Sequence, residues 1–158
     1  MSHDKIFLTT GPFHVPDVNQ NNDENNRIVI SLTNPTDHKL EATVKVENYI
    51  GFFQFQLPAE FSLSRAVLHD FGKVEVEPRT TTRLEANLPA FERSQLRVVT
   101  KGEYKVEEGR PVSGKLEISS VVGNGNIFII TPVEGLHSAD AATFFRFSDF
   151  VVDSEDAD

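Results

Sequence analysis

The sequence predicts an all-β protein, an antiparallel sandwich preceded by an N-terminal arm. Three observations carry this. Apolar and polar residues alternate with period two over many short segments, which puts one side of each segment in a core and the other in water. Those segments recur about every 8–12 residues between Gly, Pro and Asn turn signals, the spacing of sandwiches and barrels. The apolar residues are those that pack on pleated surfaces, with thirteen Phe, abundant Val and Thr, no Trp and one Met.

Taken in order, residues 1–26 stand apart. Lys5–Thr10 is a short strand-like run that Gly11-Pro12 breaks. Val15-Pro16 leads into the polar tract DVNQNNDENN. Such a tract buries little surface, so the expectation is an arm on a flexible linker, with residues 11–26 reaching roughly 50 Å if extended. The body is expected over residues 27–152 and an acidic tail over 153–158.

Arg27–Tyr49 opens the body and has the clearest pattern in the chain. Ile28, Ile30 and Leu32 share one face. Leu40, Ala42, Val44 and Val46 alternate with Glu41, Thr43, Lys45 and Glu47. Asn34-Pro35-Thr36-Asp37 supplies turn chemistry between them, and the whole reads as a β-hairpin with one wet face. Phe52–Leu57 reads as a strand bent at Gly51. Glu60–Asp70 carries two patterns, strand over FSLS and one helical turn over RAVLHD. Phe71–Glu77 and Thr81–Leu88 alternate cleanly on either side of Pro78-Arg79-Thr80. Gln95–Lys101 and Glu103–Glu107 read as a strand pair around Gly102, followed by an EGRP loop. Lys115–Val122 is a strand, Gly123-Asn124-Gly125-Asn126 a hairpin turn, and Ile127–Ile130 a strand apolar on both faces. Leu136–Ala142 could form a short helix. Thr143–Val152 reads as one Phe-rich strand.

Composition bounds the function. At 158 residues one domain is expected, large enough for a core without staples. The chain has no Cys, which removes disulfides, thiolate metal sites and Cys nucleophiles. Net charge is −9, and the last six residues hold four acids, leaving a mildly acidic body with no basic stripe. No nucleic-acid partner is expected. No apolar run approaches the ~20 residues that span a bilayer, and MSHDKIFLTT lacks the pattern of a Sec signal peptide.

No catalytic constellation stands out. Asp17–Asp23 begins like a calcium loop, but Asn22 and Ile28 occupy the positions that need Gly and Glu. The five His show no ligand spacing, and no Gly-x-Ser-x-Gly elbow occurs. The expectation is a non-enzyme with no cofactor, no metal and no small-molecule ligand. The adjacent pairs Phe52/Phe53 and Phe144/Phe145 must each turn one ring to the outer face. Phe52 and Phe144 are therefore candidate contacts with another chain or with the arm, against the plainer reading of core packing. The arm residues Ile6, Phe7, Leu8, Thr9 and Thr10 also have two readings. They can be the first strand of this domain, or a donor strand that fills a sheet edge of a neighbouring subunit.

Two segments resemble a known family. RIVISLTNPTDHKLEATVKV and VEVEPRTTTRLEANLPAF are similar to the strand–turn–strand elements of bacterial Ig-like sandwich domains, the NEW3/CARDB type found in cell-surface and spore-associated proteins. The likeness covers about residues 27–90. The family's second loop usually carries Pro-Gly, where this chain has Pro78-Arg79. The resemblance implies an Ig-like β-sandwich with a structural or adhesive role, and the all-β pattern alone also allows a jelly-roll. Joined to the arm, it gives the functional expectation: a self-assembling structural subunit, a head-to-tail homo-oligomer in a cell-surface filament, appendage or spore outer layer. The alternative is an Ig-like module that binds carbohydrate or protein at the cell surface.

Overall fold

A computed structural model describes residues 5–50, 62–124 and 141–153. They form an all-β sandwich of antiparallel sheets. The strands are β1 (Ile6–Thr9), β2 (Phe13–His14), β3 (Arg27–Asn34), β4 (Leu40–Ile50), β5 (Ser64–Val76), β6 (Thr80–Asn87), β7 (Gln95–Gly102), β8 (Lys105–Glu107), β9 (Arg110–Val112), β10 (Glu117–Gly123), β11 (Ala141–Phe145) and β12 (Val151–Val152). One sheet has the order β12-β1-β7-β4-β5, with β2 continuing β1 along the same edge of β7. The other has the order β11-β10-β3-β6, and β8-β9 is a separate hairpin. No helix among the described residues is long and apolar enough to cross a membrane.

The core lies between the two sheets. Ile28, Ile30 and Leu32 of β3 face Leu40, Ala42, Val44 and Val46 of β4 across it, all buried. Both strands are as expected, yet they are not a hairpin. β3 pairs with β6 and β10, while β4 pairs with β5 and β7. The connection 35–39 crosses from one sheet to the other. Buried Asn34 shapes this crossing: its amide nitrogen donates to the carbonyls of His38 and Val76 at 2.7 and 3.0 Å, and its oxygen accepts from the backbone and hydroxyl of Thr36 at 2.9 and 2.7 Å. The 77–79 turn crosses back beside it, with Arg79 at φ +58° and ion-paired to Asp37.

Further differences from the sequence reading have local causes. RAVLHD is extended, part of a 13-residue β5. Two bulges, at Leu68 and Phe71, break its register against β4, and Gly72 takes φ +70° while its N–H bonds the Asp70 carboxylate at 2.8 Å. The extra residues spoil the alternation and bring Leu68 and Phe71 to the core at a helix-like spacing. Residues 95–107 do not pair with each other. A Cβ on Gly102 would sit 2.4 Å from the Ala42 Cβ, so the chain passes β4 there without a side chain and leaves the sheet. β8 pairs instead with β9, around Glu108 and Gly109 at φ +53° and +76°. Thr143–Val152 is not one strand. β11 ends at Phe145, Phe147–Asp149 makes one 3-10 turn, and β12 joins the opposite sheet. Phe150, 1% exposed, is buried at this changeover. Ala141 and Ala142 are strand and not helix. Phe52–Leu57, Asn126–Ile130 and the rest of the expected helix lie outside the described residues.

Candidate functional site: the arm and its seat

The arm is an inner strand of the first sheet. β1 pairs antiparallel with β7, Ile6 opposite Gly102 through Thr9 opposite Val99. On its other side Leu8 and Thr9 lie opposite Val152 and Val151 of β12. Alternation then sorts the five arm residues. Leu8 is fully buried in the core and Ile6 packs against it. Burying a Leu of this kind contributes about 1.5–3 kcal/mol. Phe7 lies on the other face, with the Lys101 ammonium 4.9 Å from its ring centre. The Thr9 hydroxyl donates to the Val98 carbonyl at 2.9 Å and accepts from the Gly11 N–H at 3.0 Å. Thr10 and Val98 hold each other, N–H of Thr10 to carbonyl of Val98 and N–H of Val98 to the Thr10 hydroxyl, both at 3.1 Å.

One guanidinium ties the seat together. Arg97 on β7 donates from Nε to the Thr9 hydroxyl at 2.9 Å, from Nη1 to the Tyr49 hydroxyl at 3.4 Å and from Nη2 to the Asp153 carboxylate at 3.0 Å. The Arg97 and Asp153 side chains are only 10% and 6% exposed. Burial works against the Arg97 charge. Tyr49, Asp153 and Glu47 outweigh it, and the guanidinium's pKa is raised. Sequence reasoning passed over Arg97 and placed Asp153 at the start of an acidic tail, whereas the structure buries its carboxylate against Arg97; their partners lie too far away in the chain to be read from spacing.

The tract read as a linker is folded against the body. Val15 is buried in the core, and its N–H bonds the Ser94 carbonyl at 2.8 Å. The Asn19 side chain caps a turn by accepting the N–H groups of Asn21 and Asp23 at 2.8 and 2.9 Å. Buried Arg93 holds the Asp17 and Glu24 carboxylates at 2.7 and 3.0 Å. Asp17, a candidate calcium ligand, is therefore engaged by an arginine. Among the described residues no three His, Cys, Asp or Glu come together as a metal site.

Of the paired phenylalanines, Phe144 points outward and is 54% exposed, while Phe145 packs inward on Phe13 with ring centres 4.6 Å apart. Phe52 lies outside the described residues. The arm and Phe144 are on different sheets, so they do not form one patch.

At the end of the sandwich where β3 crosses to β4, a cleft of about 780 Å³ is lined by Lys5, His38, Lys39, Glu41, Glu103 and Lys115, among others. Glu41 is bonded by the Lys5 and Lys73 ammoniums, which hold its carboxyl below the usual carboxylate range. Glu103 accepts the Glu41 N–H at 3.0 Å. Much of the charge in this cleft is thus already committed to structure.

No protein-family model matches the chain, and neither does any curated protein. Among solved structures, the crystal structure of Thermotoga maritima 1070 is similar over 96% of this chain and 94% of that one, at 6% identity and a TM-score of 0.41.

Proposed function

We propose that the chain is a non-enzymatic structural subunit that assembles with copies of itself at a cell or spore surface, residues 6–10 of one copy entering the arm seat of the next. The observation that carries this reading is the arm's position as an inner strand, paired on both sides and anchored by Leu8. Its strand partners are remote in sequence, so the same contacts form when the arm comes from a second copy. Gly11, at φ +71°, and Pro12 follow the arm and provide a place for the chain to change direction. Donation of this kind is head-to-tail and extends into a filament unless the rotation closes a ring.

The absence of native Cys makes the test direct. Phe7 and Lys101 are cross-strand partners, and opposed residues in antiparallel strands have Cα atoms about 4.5–5.5 Å apart, within disulfide reach. Oxidation of the Phe7→Cys, Lys101→Cys chain is expected to give covalent dimers and a ladder on non-reducing gels. The unmodified chain should show matching oligomers by light scattering. Internally linked monomer together with monomeric light scattering at all concentrations would sink the reading.

A second reading, a binding module for carbohydrate or protein, is favoured by the end cleft. A thermal-shift panel of sugars, repeated on Lys115→Ala, tests it. A stabilising sugar whose effect disappears in the variant supports it, and a flat panel counts against a sugar site.

A further inference from the structure

We propose that the C-terminal strand β12 is a strap that holds the arm in its seat, and that the Arg97–Asp153 ion pair is its latch. The proposal rests on the arm-exchange reading and concerns access to the same seat.

β12 is a weak strand by its own content. It has two residues, Val151 and Val152, 54% and 37% exposed. A strand this short has little intrinsic stability, so what holds it lies at its ends. On one side is Phe150, buried in the core. On the other is Asp153, whose N–H donates to the Phe7 carbonyl at 2.9 Å and whose carboxylate meets Arg97 at 3.0 Å. Arg97 also holds Thr9 of the arm. The same side chain therefore senses whether the arm and the strap are both seated.

Without β12, β1 becomes the edge of its sheet. The backbone groups that face Val151 and Val152 then lack their strand partner and form a template for an extended strand. Arm exchange needs β1 to part from both β7 and β12. Lifting the strap removes one of those two ladders, so a seated strap opposes assembly and a released one permits it.

The test compares the full chain with one ending at Phe150 and with full-length Asp153→Ala. It uses hydrogen exchange of the amides in residues 6–10 and, separately, the Phe7→Cys, Lys101→Cys cross-link. Exchange in the arm is expected to speed up by about tenfold or more in both variants, and to reach a rate well above that of the β3 and β4 amides, which follow global stability. Covalent dimer should increase alongside it. Unchanged arm protection in both variants overturns the strap. Faster arm exchange with no cross-linked dimer at any concentration upholds the strap and removes the exchange reading. If the truncated chain shows no protected amides in β3 and β4, it has failed to fold, and Asp153→Ala decides on the same criteria.

Discussion

Arg97 and Asp153 are 56 positions apart in the chain and 3.0 Å apart in space, in a bond that joins the inner strand β7 to the C-terminal end of the fold. Both side chains are nearly buried, so each depends on the other. Removing one charge takes a close counter-charge from a partner that stays largely out of water. Arg97→Ala is expected to cost about 3–5 kcal/mol, and Asp153→Ala somewhat less if its site opens to water. Urea unfolding would report both, and a double-mutant cycle should give a coupling of at least about 1 kcal/mol. Additive losses would show that the pair is not a unit.

Gly102 should tolerate no side chain. Its missing Cβ would lie 2.4 Å from the Ala42 Cβ and 2.8 Å from the Ala42 Cα, and backbone cannot give way as a flexible side chain can. Gly102→Ala is expected to lose about 1–3 kcal/mol, with partial recovery on adding Ala42→Gly. Gly72→Ala meets open space, but its φ of +70° costs about 1–2 kcal/mol. Thermal unfolding of the three variants would check the order, and failure of Ala42→Gly to restore any stability would refute the steric cause.

Asn34 is placed to set the path between the sheets. Asn34→Leu removes four hydrogen bonds and leaves the Val76 carbonyl without its side-chain donor. A loss of about 2–3 kcal/mol is expected. Asn34→Asp keeps the acceptor but loses both donors, and should be no better. A change below about 0.5 kcal/mol in urea titration would mean that water replaces these bonds.

Glu41 links stability to acid. The Lys5 and Lys73 ammoniums lower its carboxyl from the ordinary 4.5. The folded state therefore gains from the ionised form. That gain is present above pH 4.5 and disappears as pH falls through the lower folded value. Glu41→Gln should destabilise the protein at pH 7 and flatten the stability profile below pH 4.5. Parallel acid profiles for the two proteins would exclude Glu41 as the cause.

Tyr104 marks the alkaline side. Burial pushes its phenol up from 10.0, with the Thr100 hydroxyl at 2.7 Å opposing this in part. A raised pKa adds stability that is complete below pH 10 and is lost as pH climbs toward the folded value. Tyr104→Phe should unfold less steeply above pH 10. An unchanged alkaline limb, read by circular dichroism, would assign that loss to other groups such as Lys73, whose pKa Glu41 raises.

The sequence by itself determined the class of fold, the strands with unbroken alternation and the inward faces of β3 and β4. Period two is a local property, set by each residue and its neighbours. It did not determine which sheet a strand enters. Ile28–Leu32 and Leu40–Val46 read the same whether they flank a hairpin or face one another across a core, and only the pairing of β4 with β5 and β7 settles that. Nor did it show the arm's seat. Ile6–Thr9 was legible as a strand, but the Arg97 bonds to Thr9 and Asp153 span 88 and 56 residues. Contacts of that range leave no spacing to read, because folding the chain is what brings them together.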